Sequence, residues 1–495
     1  MCGRSGAGGA LYKLRALATL VAVLALGSCS GAEPSLTASD LTAAVAPTST
    51  VDSSTTEPGT TSSAAQRCVR PAVGSAEPTD VTIWHVLDGE QANNTFSQLV
   101  TRFNEEHPGI RVTTLKFDGQ YALFKQLQAV PRNEWPDVVL TASSSLRQLA
   151  DSKAIITPGE CFPGDTIARN LLPVVAATYS MGGELQALPY GVSTPVLIFD
   201  ATEMRAAGLD PTNPPRTAYE LIAASMQIVA SGASPHGLVV HEALASFLIN
   251  QWAAKRDELV ATPNNGRDGE AITVDFDTPE NRTAMQWIAD VMSTGGGVAV
   301  LGNSSSFDDL VRIVDPVDGA TMSIHTSAAL GDVFSYIDNG AFPGLVVGVA
   351  PMPGPGVGAT VGGNAMWLLD NGSPTRAGAA WEAIRWLTSP SPLATFDAAT
   401  GYIPPGEAVA ADPAVVAAWG RHPQLRVGYD QLLHMAGSAA TAGALYGPGG
   451  DVDQVLRDLL RSIVERHTPP AKALALASQG VNDLLVQYDL VVGRG

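Results

Sequence analysis

VTIWHVLDGEQANNTFSQLVTRFNEEHPGIRVTTLKF is the sequence of residues 81–117, and its alternation of elements predicts the fold class. VTIWHV (81–86) has the apolar run of a buried strand, and IRVTTLKF (110–117) is the next strand. Between them, apolar residues recur at helical spacing: Phe96, Leu99, Val100 and Phe103. The helix ends at His107-Pro108-Gly109, because proline and glycine stop helices. A strand, a helix and a strand in this order predict a right-handed crossover in a parallel sheet covered by helices, which is an α/β fold.

The same alternation continues toward the C-terminus. YALFKQLQAV (121–130) is predicted to be a helix, and PDVVLTA (136–142) a third strand. Ligands of such sheets bind beyond the carboxyl ends of the strands. The candidate binding residues therefore follow the three strands, at His85–Asp88, Phe117–Tyr121 and Thr141–Ser144.

Composition limits the classes of function. The chain has 495 residues, of which 45% are hydrophobic and 16% charged, and its formal net charge is -19. This charge argues against nucleic acids and anionic membrane surfaces as partners, because both require a basic face. About 430 residues follow the N-terminal segments described next, which suits two lobes better than one core. No apolar run after the N-terminal one is long enough for a transmembrane helix.

The N-terminus has the pattern of an export signal. Residues 1–28 combine basic residues with an apolar block at 16–26 that is too short to span a bilayer. Leu26-Gly27-Ser28-Cys29 resembles the lipobox of bacterial lipoproteins, in which the cysteine is lipidated and becomes the mature N-terminus. The alternative is a plain signal peptide followed by a chance cysteine. We expect an exported protein that is lipid-anchored to the outer face of the cytoplasmic membrane.

Residues 29–66 are predicted to be the lipidated cysteine and a flexible tether. Serine, threonine, alanine, proline and glycine dominate 30–66, so this segment cannot bury enough apolar surface to fold. Two cysteines remain after it, Cys68 and Cys161. Cysteines in an oxidising compartment most simply pair, and we predict a disulfide between them.

From about residue 80 to residue 490 the chain resembles a known family. The segments that carry the resemblance are STPVLIFD (193–200), AAGLDPTNPPRTAYEL (206–221), VGGNAMWLL (361–369), AAWEAIRWLTSP (379–390), ATGYIPP (399–405) and TPPAKALALASQGVNDLLVQYD (468–489). Together with the first strand and helix, they are similar to the family 1 extracellular solute-binding proteins, the sugar receptors of ABC importers. The glycerol-phosphate-binding subgroup is the nearest, through STPVL, GLDPTNPPRT and TGYIP.

The resemblance implies a two-lobed periplasmic-binding-protein fold of class II, like maltose-binding protein, with the ligand between the lobes. Lobe 1 is expected to comprise 67–190 and 362–395, and lobe 2 191–361 and 396–490. Hinges are expected near Gly191–Pro195 and Thr360–Asn364. The resemblance further implies a carbohydrate or polyol-type ligand, ABC permease subunits as membrane partners, no cofactor or metal, and a monomer.

The resemblance also implies which residues contact the ligand, by matching positions of this chain with those of the subgroup. The subgroup's ligand-contacting tyrosines, serines and glycine match Tyr121, Ser193, Ser327, Gly363 and Tyr402, and Asn364 follows the glycine. Asp88 is a further candidate because it follows the first strand. Hydroxyls suit a polyol, and a tyrosine ring suits its C–H face. Each residue has a purely structural alternative, such as packing in the core, hydrogen bonding to the backbone of the hinge, or forming a turn.

Two positions depart from the subgroup. Its carboxylate that grips glycerol hydroxyls falls on Ser143, and its phosphate-gripping arginine falls about at Leu445. Arg147 is a substitute for that arginine, or a solvated helix residue. A phosphomonoester without a guanidinium loses its strongest contact, so the sequence favours a neutral sugar or polyol, or a glycerophosphodiester. Trp252 is a candidate for stacking on the ligand, or a core residue.

Two other classes of function stay open. A secreted glycoside hydrolase needs two carboxylates across a cleft, and Asp88, Glu90, Asp118 and Asp137 are available. The chain has no nucleophile elbow or phosphate loop, and HEALA (241–245) lacks the second histidine of a zinc-protease motif. A polysaccharide-binding module would need a flat aromatic platform, but only 6% of the residues are aromatic.

Overall fold

The computed structural model describes residues 67–70, 77–162, 170–301, 307–356 and 359–493. The predicted signal peptide (1–28), the tether (29–66) and the lipidation of Cys29 lie outside the described residues.

The first sheet has five strands in the order β2-β1-β3-β14-β6. Its strands are β1 (Thr79–His85), β2 (Ile110–Lys116), β3 (Val138–Ala142), β6 (Leu188–Ser193) and β14 (Gly362–Leu368). Strands β1, β2 and β3 pair in parallel, whereas β14 is antiparallel to both β3 and β6.

The second sheet also has five strands, in the order β11-β8-β12-β7-β13. Its strands are β7 (Pro195–Asp200), β8 (His236–His241), β11 (Gly297–Val300), β12 (Ala320–Thr326) and β13 (Val347–Pro351). Two small antiparallel pairs accompany the sheets, β4 (Ser180–Met181) with β5 (Glu184–Leu185) and β9 (Ala261–Thr262) with β10 (Thr273–Val274).

Helices surround both sheets. Those up to the end of the second sheet are α1 (Glu90–Glu106), α2 (Gln120–Ala129), α3 (Leu146–Asp151), α4 (Pro158–Cys161), α5 (Pro173–Thr178), α6 (Ala201–Ala206), α7 (Ala218–Ser231), α8 (Leu244–Lys255), α9 (Pro279–Ser293), α10 (Asp308–Val311) and α11 (Leu330–Asp338). The later ones are α12 (Pro374–Leu387), α13 (Pro390–Thr400), α14 (Glu407–Ala410), α15 (Pro413–Arg421), α16 (Val427–Leu433), α17 (Ala439–Ala442), α18 (Gly449–Val464) and α19 (Pro470–Val491).

The expectation of a parallel sheet holds for β1, β2 and β3 of the first sheet and for β8, β11 and β12 of the second. The chain leaves the first sheet at the end of β6 and enters the second with β7, only Thr194 lying between them. We call each passage of the chain between the two sheets a crossing. A strand that begins at a crossing runs in the opposite direction to the strands that end at one. This is why β7 is antiparallel to β12 and β13, and β14 to β3 and β6.

The predicted lobe boundaries stay a prediction, and the strands show where the chain changes sheet. It crosses at Thr194 and returns between Pro351 and Gly362. Residues 191–193 therefore pair within the first sheet, and Phe396 packs in the apolar core of that sheet. We define lobe 1 as the elements packed on the first sheet, and lobe 2 as those packed on the second.

Local sequence explains the starts of several helices. Thr217 forms a capping box with Glu220 at the start of α7. In α1 the buried face is made of Phe96, Leu99, Val100 and Phe103, as the spacing predicts. Helix α18 begins next to lobe 1, since a Cβ on Gly449 would lie 3.0 Å from the carbonyl oxygen of Ser144.

The predicted disulfide is confirmed. Cys68 and Cys161 are bonded, with Cα atoms 5.1 Å apart. Both belong to the apolar core of lobe 1. The bond ties the first described segment to the end of α4.

No described helix combines the length and the apolar character that a bilayer-spanning segment needs.

Candidate functional site

The loops after β1, β2 and β3 lie along one edge of the first sheet. His85 pairs with Lys116 and Leu140 across the sheet, so the three strands end at the same level. Asp88, exposed, follows β1, and half-buried Tyr121 and Ser143 follow β2 and β3. Three predicted ligand residues are therefore placed at the same edge.

Ser327 lies where lobe 2 meets the first crossing. It follows β12 and is 1% exposed. Its Oγ accepts a hydrogen bond from the Thr194 N–H at 3.2 Å, and its own N–H donates to the Thr194 carbonyl at 2.9 Å. In this conformation the Ser327 hydroxyl forms a hydrogen bond with the backbone of the crossing. This is the structural alternative to ligand binding that the sequence left open for the hinge residues.

Ser193, Gly363 and Asn364 lie together where β6 pairs with β14. Gly363 has a φ of +97°, and a Cβ there would lie 1.9 Å from the carbonyl oxygen of Gly191, so glycine is required for the strands to approach. Ser193 is buried and pairs with Gly362. The Asn364 Nδ2 donates to the Tyr402 hydroxyl at 3.4 Å.

The ring of Tyr402 is packed within the protein. It stacks on Phe396 with ring centroids 5.5 Å apart, and a Cβ at Gly191 would lie 3.2 Å from it. Burial raises the pKa of Tyr402, and Asp88 and Asp332 raise it further. The hydroxyl therefore lies near carboxylates of both lobes, while the ring has little free surface. This packing supports a contact through the hydroxyl rather than the predicted cover over a ligand.

Trp252 does not lie among these residues. It is 5% exposed, belongs to the core of lobe 2 and packs near Trp287. Its Nε1 donates to the Pro353 carbonyl at 3.0 Å. The structure thus favours the core alternative for Trp252 over stacking on a ligand.

Arg147 is bound within the protein. Its Nε donates to Asp151 at 2.9 Å, and its terminal nitrogens contact the carbonyls of Gly266 and Gly269 and, at 3.8 Å, the Glu270 carboxylate. Those last residues belong to the β9–β10 hairpin, so Arg147 joins lobe 1 to lobe 2. The sequence offered two roles for Arg147, a phosphate-binding residue or a solvated helix residue. Neither of them describes this environment.

A second arginine joins the lobes in the opposite direction, from lobe 2 to lobe 1. Arg267, in the same hairpin, donates to the carbonyls of Ala177, Thr178 and Ser180 in lobe 1 and to those of Ala442 and Gly443. Burial lowers the pKa of Arg267 to about 9. Leu445, where the subgroup has its arginine, is 4% exposed and packs with the core of lobe 1. Neither arginine offers its guanidinium to a ligand.

Polar side chains tie the two crossings to each other. The Gln251 side chain forms hydrogen bonds with the Thr360 Oγ1 at 2.6 Å and with the Thr360 N–H at 2.8 Å. Thr194 Oγ1 donates to the Thr360 carbonyl at 3.1 Å, and Gln431 Nε2 donates to Thr194 Oγ1 at 3.1 Å. Gln431 also accepts from the Met352 N–H at 3.1 Å. Sequence reasoning missed Gln251 and Gln431, since both lie far along the chain from the residues that they bind.

Asp332 is another residue that sequence reasoning missed. It lies in α11, five residues after Ser327, and faces the start of α1 across the two lobes. The signal that could have found it is its place just beyond the carboxyl end of β12.

The carboxylates of the enzyme alternative do not all face one cleft. Asp137 precedes β3 and is fully buried, where it accepts hydrogen bonds from Thr82, Asn371 and Arg376. It therefore lies at the opposite end of the sheet from Asp88. Among the described residues there is also no cluster of three or more histidine, cysteine or acidic residues suited to a metal.

Comparisons with known proteins agree with the fold. Residues 98–424, about two thirds of the chain, match the family described as "Bacterial extracellular solute-binding protein". The sn-glycerol-3-phosphate-binding periplasmic protein UgpB of Pectobacterium atrosepticum is 23% identical over 430 residues, covering 84% of this chain and 94% of that protein. UgpB of Yersinia pestis is 24% identical over 403 residues, covering 80% of this chain and 90% of that protein.

Solved structures share the two-lobed architecture. The sugar-binding protein MalE of Xanthomonas citri superposes with a TM-score of 0.68 at 19% identity, covering 84% of this chain and 100% of that one. UgpB of Mycobacterium tuberculosis, in complex with glycerophosphocholine, superposes with a TM-score of 0.66 at 18% identity, covering 83% and 98%. The predicted maltose-binding-protein-like fold is confirmed, and the chain belongs to the bacterial extracellular solute-binding protein family.

Proposed function

We propose that this protein is the substrate-binding subunit of an ABC importer, which captures its solute between the two lobes and delivers it to the permease. The observation that carries the proposal is the convergence of polar residues from both lobes on the two crossings, at Ser193, Ser327 and Asn364. The lobes would close about Thr194 and Thr360, which Gln251 and Gln431 hold together. The lobe boundaries predicted above are part of this proposal.

The proposed ligand is a neutral sugar or polyol, or a glycerophosphodiester. The relatives named above bind glycerol 3-phosphate, glycerophosphocholine or a sugar. A phosphomonoester without a guanidinium loses its strongest contact, and both Arg147 and Arg267 are bound to protein groups. The acidic residues Asp88 and Asp332 near Tyr402 further disfavour the dianion of a phosphomonoester.

Isothermal titration of the mature protein with glycerol 3-phosphate, neutral sugars, polyols and glycerophosphocholine tests this proposal. We expect one-to-one binding of an uncharged or zwitterionic compound without turnover, and little change in affinity between low and high salt. Ser143→Ala should weaken that binding several-fold, since a neutral hydrogen bond contributes about 0.5–1.5 kcal/mol. The neighbouring Ser144→Ala, an exposed position, is the matched control.

Two results would contradict the proposal. Hydrolysis of a labelled oligosaccharide would indicate the enzyme alternative. Tight, salt-sensitive binding of glycerol 3-phosphate alone would show that the phosphate-binding residue has been placed wrongly.

The proposed location is the outer face of the cytoplasmic membrane, with Cys29 as the lipid attachment point. We expect Cys29→Ala to release the protein into the medium, because the signal block is too short to hold it as a transmembrane helix. Fractionation followed by immunoblotting measures this, and Cys2→Ala, within the predicted signal peptide, serves as the control. Retention of the Cys29→Ala protein in the membrane fraction would exclude lipidation as the anchor.

A further inference from the structure

The start of α1 in lobe 1 is bonded to α11 in lobe 2. The Gln91 N–H donates to Asp332 Oδ1 at 3.1 Å, and Gln91 Nε2 donates to Ser335 Oγ at 3.1 Å. Helix α1 packs in the core of the first sheet, whereas Leu330 and Phe334 of α11 pack with Val196 and Ile198 of the second. These hydrogen bonds therefore join the two lobes directly, outside the crossings.

The contact is close and depends on a glycine. Gly89 precedes α1, has a φ of +82° and provides no side-chain cap for the helix. A Cβ at Gly89 would lie 2.3 Å from Asp332 Oδ2. The carboxylate of lobe 2 thus occupies the position in which an N-cap side chain of lobe 1 would otherwise lie.

This arrangement brings acidic groups together. Asp332 is 8% exposed, and burial raises its pKa. Asp88 and Glu90, on either side of Gly89, raise the pKa further, while the Gln91 N–H lowers it. Tyr336 on the same helix and Tyr402 also face these carboxylates, and both have raised pKa values. A helix N-terminus favours a carboxylate, but here burial and the acidic neighbours prevail.

We propose that Asp332 is a proton-linked latch between the lobes, which holds them closed when its carboxyl group is neutral and opposes closure when it is charged beside Asp88 and Glu90. This inference rests on the hinge closure of the proposed function. A neutral carboxyl oxygen can still accept the Gln91 hydrogen bond, so protonation keeps the contact and removes the repulsion.

The direction of the pH effect follows from linkage. Opening the lobes returns Asp332 to water and to an ordinary pKa, so the closed form binds the proton more tightly. Closure is therefore favoured below the raised pKa and lost as the pH rises through it. Because one proton is involved, the ratio of closed to open molecules changes by at most about tenfold per pH unit.

Fluorescence energy transfer in the ligand-free protein tests the latch. Dyes on Glu105→Cys and Asn339→Cys would report the distance between the far ends of α1 and α11, since both positions are exposed. As the pH is lowered through the raised pKa of Asp332, we expect the closed fraction to rise in the otherwise unchanged protein. No solute is needed, so this result is independent of which ligand the protein binds.

Two variants decide the assignment. Asp332→Asn should remain closed across the whole pH range, because its amide oxygen keeps the Gln91 hydrogen bond without charge. Asp338→Asn is the matched control on the same helix, where the exposed carboxylate pairs with His422 at 3.0 Å, and it should keep the pH dependence.

Three results would overturn the latch: energy transfer that does not change with pH, an Asp332→Asn protein that keeps the pH dependence, or an Asp332→Asn protein that is open at every pH. None of them coincides with failure of the proposed transport role, which would show as the absence of binding to every compound of the solute panel.

Discussion

Replacing Cys68 and Cys161 together with serine is expected to lower the free energy of unfolding by about 4–5 kcal/mol. The disulfide joins residues 93 positions apart, so it removes much conformational freedom from the unfolded chain. Both cysteines also lie in the core of lobe 1, where a serine hydroxyl would lack the packing of sulfur. Urea unfolding at neutral pH, followed by tryptophan fluorescence, measures the difference.

Arg67→Ala is the matched control, because Arg67 joins the same segments without a covalent bond. It pairs with Glu160 at 2.7 Å and with Asp370 at 2.8 Å, and its side chain is 33% exposed. Solvent-exposed pairs of this kind contribute about 0–1 kcal/mol, so the control should lose little stability. Equal losses in the two proteins would mean that the docking of residues 67–70, rather than the covalent constraint, supplies the stability.

The disulfide also defines where the predicted tether joins the folded protein. Residues 67–70 pack on α12, where the Val69 N–H donates to the Pro374 carbonyl at 2.9 Å. A Cβ at Gly378 would lie 1.9 Å from the Val69 carbonyl oxygen, so glycine permits this approach. The membrane anchor proposed for Cys29 would thus act on lobe 1 and leave lobe 2 free to move.

The local sequence pattern was sufficient to predict the order of the first strands and helices. Apolar spacing predicted α1, and alternation of strands and helices predicted the α/β class, because both depend on residues close in sequence. The mixed direction of the strands could not be predicted in this way. It depends on the chain entering each sheet from the crossing, which is a property of the whole topology.

The candidate site was less predictable, since the residues that form hydrogen bonds with each other there lie far apart in sequence. Arg147 resembled a ligand-binding or solvated arginine, but a hairpin more than a hundred residues away accepts its hydrogen bonds. Tyr402 and Asn364 were both predicted to contact the ligand, which stays a prediction; the hydrogen bond between them and the packing of the Tyr402 ring on Phe396 were not predicted. Ser327 matched a binding serine, and the structure shows its hydroxyl bound to Thr194.

Asp397 lies close to the site and is expected to make the stability of the protein pH-dependent. It is in α13, is buried, and neither carboxyl oxygen has a hydrogen-bond partner among the described residues. Burial raises its pKa well above the ordinary value of 3.8. The nearby Tyr190 hydroxyl also lacks a described partner, and its pKa is raised by burial and by Asp397. The folded protein therefore keeps a proton on Asp397 that the unfolded chain releases.

Asp397→Asn should be more stable than the unchanged protein at neutral pH, and the difference should shrink toward pH 4. Above the ordinary carboxyl pKa the unfolded chain loses its proton first, which costs the folded state about 1.4 kcal/mol for each pH unit until the raised pKa is reached. The amide that the substitution introduces carries no such proton, so that loss is absent from the variant. Urea unfolding at several pH values from about 4 to about 7.5 measures the difference.

Asp430→Asn is the control for this series, because its carboxylate is exposed and pairs with Arg426 at 3.0 Å. Its stability curve should run parallel to that of the unchanged protein, since a surface pair contributes about 0–1 kcal/mol at any of these pH values. If Asp397→Asn also gave a parallel curve, Asp397 would titrate alike in the folded and unfolded states, and its burial would carry no pH dependence. A variant that became less stable than the unchanged protein as the pH rose would indicate a charged, stabilised Asp397, the opposite of what its unpartnered oxygens imply.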